Sequence, residues 1–157
     1  MENEKSNIAN RELVISRLLD APIGLVWEVW TDPDHLARWW GPDGFTNTIQ
    51  TMAVRPGGAF DLVMHGPDGT DYKNKSRFTT VIPFKKLVYE HLTSPHFTAT
   101  VEFTEQGDKT LLQWRMLFDT AEEFIQTVKT FKADVGLKQN VEKLARYLAQ
   151  KSKTSTI

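Results

Sequence analysis

From Asn47 to Phe118 apolar and polar residues alternate with a period of two, while before and after that stretch they recur at three and four. A period of two marks strands with one buried face, and a period of three to four marks amphipathic helices. The alternation predicts strands over Thr48–Val54, Ala59–His65, Asp71–Ile82, Lys86–Leu92, His96–Glu105 and Lys109–Phe118. Pro56-Gly57-Gly58, Gly66-Pro67-Asp68-Gly69, Pro83-Phe84, Ser94-Pro95 and Gln106-Gly107-Asp108 separate them with turn chemistry. Connections this short predict an antiparallel meander. An earlier strand is predicted over Leu13–Leu19.

Two short helices are predicted next. Pro22 suits a first helical position, with Val26, Trp27 and Trp30 at helical spacing. Asp32 can cap a second helix that starts at Pro33, carries Leu36, Trp39 and Trp40, and ends at Gly41-Pro42. Near the C-terminus, Thr120-Ala121-Glu122-Glu123 reads as a capping box. Phe124, Val128, Phe131 and Val135 form one apolar stripe, and Leu137, Val141, Leu144 and Leu148 form another. The face shifts by about 100° between them, which predicts a kink or break at Gly136. The elements define an α+β chain with helices covering one face of an antiparallel sheet.

Charges phase the strands. Lys73, Lys75 and Arg77 share one face, which belongs in water; Asn74, Ser76 and Phe78 then point toward the helix. Glu90 belongs beside that basic face, where opposite charges pair across strands. Leu87, Tyr89 and His91 then point inward, as do Phe60, Leu62 and Met64; Phe97, Ala99, Val101 and Phe103; and Leu112, Trp114, Met116 and Phe118. For Thr48–Val54 the pattern does not decide. This inward surface is rich in aromatics and Met with few polar groups. Such a surface fits a small-molecule site if the sheet and helix leave space between them, and it fits a solid core if they do not.

Composition narrows the function. The chain has 157 residues, no cysteine, and 19 Lys+Arg against 20 Asp+Glu. One domain over residues 11–150 is expected, with residues 1–10 and 151–157 as disordered tails. Disulfides, thiolate metal sites and a cysteine nucleophile are excluded. Near-neutral charge argues against nucleic acid as partner, and no apolar run is long enough for a membrane span. No signal core precedes the domain, so the expected location is cytoplasmic. His35, His65, His91 and His96 match no metal-binding spacing, so no metal is expected. Neither a phosphate loop nor a nucleophile elbow is present, so neither cofactor nor catalytic residue is assigned. Four of the five tryptophans, Trp27, Trp30, Trp39 and Trp40, fall close together, either as helix–sheet packing or as an aromatic lip to a cavity.

The segments Ile15–Pro22, Val26–Pro33, His35–Pro42, Arg55–Phe60 and Gly136–Leu148 read I-S-R-L-L-D-A-P, V-W-E-V-W-T-D-P, H-L-A-R-W-W-G-P, R-P-G-G-A-F and G-L-K-Q-N-V-E-K-L-A-R-Y-L. In combination they resemble the START-related, helix-grip superfamily called SRPBCC. Within it they are most similar to the family named after the activator of the heat-shock-protein-ninety ATPase. The likeness spans Leu13 to Ala149. It implies a curved seven-stranded antiparallel sheet around a long C-terminal helix, with two short helices after strand 1. It also implies a cavity between sheet and helix that takes hydrophobic ligands, and no shared catalytic set. Where the family commonly has Trp after the tail glycine, this chain has Leu137. The eponymous co-chaperone carries a separate N-terminal domain, which a chain of 157 residues is not expected to include.

The leading expectation is therefore binding of a small hydrophobic or aromatic molecule, without catalysis. The candidate lining is Trp40, Phe60, Met64, Phe78, Tyr89, His91, Phe97, Trp114, Met116, Phe131 and Val135. An enzyme of cyclase, aromatase or hydrolase type on the same cavity, with Tyr89 and His91 as the acting groups, is the second reading. A chaperone-associated or stress-response interaction protein is the third. A homodimer through an edge strand, Leu13–Leu19 or Thr48–Val54, is a further expectation, independent of these three readings.

Overall fold

The computed structural model describes residues 11–93 and 95–155, with the side chains of residues 130, 131 and 152–155 left outside that description. Its elements run β1 (Glu12–Leu19), α1 (Ile23–Thr31), α2 (Pro33–Trp39), β2 (Thr46–Met52), β3 (Ala59–His65), β4 (Asp71–Ile82), β5 (Lys86–His91), β6 (Phe97–Gln106), β7 (Lys109–Phe118), α3 (Ala121–Phe131) and α4 (Ala133–Ser155). The strands form one seven-stranded sheet in the order β1-β7-β6-β5-β4-β3-β2. Every neighbouring pair is antiparallel. The first strand closes against the last because α1 and α2 carry the chain across to the far edge before the meander begins. This is the α+β arrangement expected from the element order and the helix-grip architecture that the resemblance implies.

Alternation holds where it was clear. On β6, Phe97, Ala99, Val101 and Phe103 are buried, and on β4 Ser76 and Phe78 are buried while Lys73, Lys75 and Arg77 are exposed. The Arg77 guanidinium lies 3.3 Å from Glu90 across the β4–β5 ladder, as the charge phasing required. On β2 the undecided register resolves with Asn47 and Ile49 half-buried and a bulge between Ile49 and Thr51. β2 starts and ends two residues earlier than its expected span.

Local signals explain the helix ends. Asp32 accepts the Asp34 amide at 2.9 Å and Pro33 opens α2. Thr120 accepts the Glu123 amide at 3.0 Å at the start of α3. Pro22 stands one residue outside α1 as its cap, not inside as its first residue.

The expected break at Gly136 is displaced. The helix breaks at Lys132, whose φ of 51° and ψ of 47° are left-handed, and α4 runs through Gly136 without interruption. One residue leaving the helical track at Lys132 rotates the apolar face, so the sequence signal was real and its position was misread. Gly136 serves a close approach instead. A Cβ there would lie 3.2 Å from Pro42 Cγ, where the α2–β2 loop presses against the helix. α4 also continues past Gln150 to Ser155, into the segment expected to be a tail, and buries Leu137, Val141, Leu144 and Leu148.

Among the described residues, no helix is long and apolar enough to cross a membrane.

Candidate functional site

The concave face of the sheet carries a continuous chain of touching rings. The α1 pair begins it: Trp27 packs edge-on to Phe103 at 5.5 Å, and Trp30 packs edge-on to Trp114 at 4.9 Å. Trp40 then links Trp114 at 5.3 Å, Phe60 at 5.6 Å and Tyr89 at 6.3 Å. Phe78 stacks on Phe60 at 5.2 Å. The chain continues through Tyr89 to Phe97, Phe118 and Phe124 on α3. Strand alternation makes this possible, since β3, β4, β5, β6 and β7 each place an aromatic residue on the same face.

The Trp39-Trp40 doublet straddles two environments because the helix ends between its members. Trp39 is the last helical residue and Trp40 is already extended, with φ −69° and ψ 140°. Trp39 turns toward α1, where its indole donates to the Val29 carbonyl at 3.0 Å. Trp40 turns onto the sheet. Asn140 of α4 holds the junction by donating to the Trp39 carbonyl at 2.9 Å and accepting the Gly41 amide at 3.1 Å. The Lys143 ammonium adds bonds to the carbonyls of Trp40, Pro42 and Phe45 at 3.2–3.5 Å. Burial lowers its pKa.

Three polar groups sit inside this apolar face. The indole N–H of Trp30 is buried with no hydrogen-bond acceptor, while that of Trp114, short of full hydrogen-bond geometry, interacts with the Tyr89 hydroxyl. Tyr89 is buried, and that burial pushes its phenol far above the usual value, with hydrogen bonding from the Trp114 side chain acting in the opposite direction. The phenol is therefore neutral over the whole physiological range.

His91 lies at the rim, stacked on Phe97 at 4.6 Å. Its Nδ1 is 2.7 Å from the Pro95 carbonyl, an acceptor, so Nδ1 carries the proton. Burial pushes the ring below its usual pKa, so it is neutral and Nε2 needs a donor. The Thr93 hydroxyl, 3.2 Å away, supplies one, beside the Asn74 side chain, whose Oδ1 lies 2.7 Å from Nε2 and whose NH2 donates to the Tyr72 carbonyl at 3.1 Å.

His96 behaves in the opposite way. Its Nδ1 lies 2.6 Å from Asp119 and its Nε2 2.8 Å from Glu90. Asp119 first, then Glu90, raises its pKa. A raised folded-state value favours the protonated form. The stability it contributes is fully present below the ordinary histidine value of 6.5 and is lost as pH rises through the higher folded value. NMR titration of the imidazole should give a midpoint above 6.5 in the parent, falling toward that value in Asp119→Asn. An unchanged midpoint in the variant would remove Asp119 as the cause.

Of the eleven side chains expected to line a cavity, Trp40, Phe60, Phe78, Tyr89, His91, Phe97 and Trp114 are brought together and buried, and Met64 and Met116 sit half-buried against them. Val135 is not among them. It is 48% exposed and lines a polar surface groove with Asp43, Lys138, Gln139, Glu142 and Arg146. It lies on α4 beyond the break at Lys132, so the stripe of α3 does not extend to it. The side chain of Phe131 lies outside the described residues. Trp30 was missed as a lining group. Its i, i+3 spacing from Trp27 was legible, but the orphaned N–H was not. A second open groove of about 550 Å³ runs between Ile23, Ile82, Phe84 and Phe103, away from the Tyr89 end of the ring chain. Among the described residues, no group of three or more His, Asp or Glu is placed to hold a metal ion.

The model of the activator of Hsp90 ATPase homolog 1-like proteins matches residues 20–149. The chain belongs to this family. No curated protein matches it by sequence. Among solved structures, a protein from Arthrobacter aurescens is 25% identical with a TM-score of 0.84, over 92% of this chain and 89% of that one. A protein from Nitrosomonas europaea is 24% identical with a TM-score of 0.83, over 92% of this chain and 98% of that one. A protein of the dynemicin biosynthetic locus is 19% identical with a TM-score of 0.66, over 88% of this chain and 47% of that one. Below a quarter identity the likeness carries the fold alone. These neighbours share the SRPBCC-like architecture of this activator-of-Hsp90-ATPase family member, and that architecture is consistent with ligand binding.

Proposed function

We propose that the protein binds a small, neutral, aromatic molecule carrying a hydrogen-bond acceptor, between the sheet and the α3–α4 helices. The observation that carries this reading is the buried indole N–H of Trp30, without an acceptor inside a wall of rings. A buried polar group left unpaired is costly, and a ligand carbonyl or ether oxygen is the chemistry that pairs it. The ring wall supplies the apolar contact, at about 25 cal/mol per Å² buried. Among the described residues no lysine or arginine is fully buried, so a carboxylate ligand held among these rings would lose its hydration without close compensation.

The rings touch one another, so the ligand enters by parting side chains and not by dropping into an open void. Met64, Met116, Phe124 and Val128 are half-buried along the rim and are the side chains that move. Methionine suits this role because its unbranched chain repacks easily.

Two features favour binding over catalysis. Tyr89 stays a neutral phenol, which makes it a donor and a poor base. Both nitrogens of His91 are engaged by protein groups, which leaves neither free for a substrate proton.

A matched pair of ligands tests the reading. Naphthalene and 2-acetonaphthone share a ring system and differ by one carbonyl. Calorimetric titration should give the ketone an advantage of about 10-fold in Kd, equivalent to one net hydrogen bond. Trp30→Phe keeps a ring in place and removes the N–H, so it should erase most of that advantage while leaving naphthalene bound. Failure of both compounds to bind, or an advantage unchanged in Trp30→Phe, overturns the proposal.

A further inference from the structure

On the opposite, convex face of the sheet, three side chains from three adjacent strands form a directed hydrogen-bond chain. Thr48 Oγ1 on β2 lies 2.8 Å from His65 Nε2 at the end of β3. His65 Nδ1 lies 2.7 Å from Asp71 Oδ1 at the start of β4. A carboxylate only accepts, so Nδ1 bears the proton and donates to Asp71. Nε2 then presents its lone pair to the Thr48 hydroxyl, which donates. This is the order hydroxyl, imidazole, carboxylate in which the middle group withdraws a proton from the first and the third fixes its tautomer.

The β3–β4 turn holds the two acid–base members in place. His65 and Asp71 are direct cross-strand partners in the ladder. Between them the Gly66 amide donates to the Thr70 carbonyl at 2.8 Å, the Gly69 amide to the Gly66 carbonyl at 3.0 Å, and the Thr70 amide to the Asp68 carboxylate at 3.0 Å. Thr48 belongs to the next cross-strand row, opposite Val63, and Lys73 occupies the same row two strands away. Thr48 is exposed and open to a reagent from solvent.

We propose that Thr48 is an acyl-acceptor site, with His65 as its general base and Asp71 as the positioning residue, for activated acyl donors of the aryl-ester class. Thr48 Oγ attacks the acyl carbonyl while its proton passes to His65 Nε2. The tetrahedral adduct collapses, the bond from the acyl carbon to the aryl oxygen breaks, and the departing aryloxide takes the proton from His65. The products are acyl-Thr48 and a phenol. Water deprotonated by His65 then hydrolyses the new ester, releases the carboxylic acid and restores the hydroxyl. The open face confines the chemistry to good leaving groups, because no enclosing wall assists departure of an amine.

The test is acetylation of the full-length protein by p-nitrophenyl acetate, followed by peptide mapping and by nitrophenolate absorbance. The parent should gain one acetyl increment on the peptide containing Thr48. His65→Gln should slow that step by about 100-fold, within the range of general-base catalysis. Asp71→Asn should slow it by about 10-fold, and Thr48→Ser should retain it. All three side chains are at the surface, and unchanged thermal unfolding of each variant checks that the fold is intact. Acetylation confined to lysines or to His65 overturns the proposal, as does equal acetylation of Thr48 in the parent and in His65→Gln. An Asp71→Asn rate equal to that of the parent removes the positioning role, and the triad with it.

Discussion

Trp39→Ala should cost about 3–5 kcal/mol of folding stability, the range for truncating a fully buried tryptophan. Trp39 is wholly buried, and its ring contacts Trp30 at 4.8 Å and Trp40 at 5.5 Å. It is also the point where α1, α2 and α4 meet: its indole donates to Val29 of α1 and its carbonyl accepts from Asn140 of α4. Alanine would leave a cavity that three elements border, and helices tied by backbone bonds collapse poorly into it. A domain stable by about 5–15 kcal/mol would lose a large fraction of its margin. Trp39→Phe separates the two contributions. It keeps most of the ring and removes the indole donor, and should cost less, about 1–2 kcal/mol. Urea unfolding with intrinsic fluorescence measures both. A loss below about 1 kcal/mol for Trp39→Ala would mean that the helical layer is not organised around this ring.

The same residue shows where sequence reasoning succeeds. Asp32-Pro33 and Gly41-Pro42 bound a helix too short to bury two adjacent tryptophans on one face. The doublet therefore had to serve two surfaces, and it does. Strand faces were equally legible wherever a charge stood on one side, as on β4, where Lys73, Lys75 and Arg77 assigned Ser76 and Phe78 to the interior. β2 carries no such charge, and its bulge between Ile49 and Thr51 breaks the alternation that phasing relies on.

The helix break was legible as a rotation of the stripe but not as a position. A glycine attracts the assignment, yet Gly136 stands where Pro42 approaches, and the left-handed residue is Lys132, which no propensity marks. The error carried Val135 into the expected site, because a stripe extended past a break points its later members elsewhere. The wall of rings could be read from strand alternation. The orphaned indole of Trp30, and the line from Thr48 through His65 to Asp71, could not. The first depends on how α1 docks on the sheet and the second on register between strands, and both come only from the three-dimensional structure.

Gly58→Ala should be the most damaging single-methyl change in the sheet, with a loss of about 2 kcal/mol or more. A Cβ at Gly58 would stand 1.9 Å from the Ala53 carbonyl oxygen, far inside contact distance, and the obstacle is backbone. That backbone is doubly fixed. The Ala53 carbonyl accepts the Arg55 amide at 2.9 Å, and the Ala53 amide donates to the Ala59 carbonyl at 2.8 Å. Gly58 itself donates to Arg55 at 2.8 Å and accepts the Phe78 amide at 2.9 Å. Relief of the clash must therefore spread into β2 and into the β3–β4 ladder, where Phe60 and Phe78 stack. Gly57 is the internal control. Its φ of 83° is left-handed, but a Cβ there meets nothing within 4 Å. Gly57→Ala should then cost only the conformational penalty, about 1 kcal/mol. Thermal unfolding of the two variants gives the comparison, and near-ultraviolet circular dichroism reports whether the Phe60–Phe78 stack shifts with the first and not the second. Equal losses would mean that the turn yields freely, and that the ring wall behind it is not held in place by Gly58.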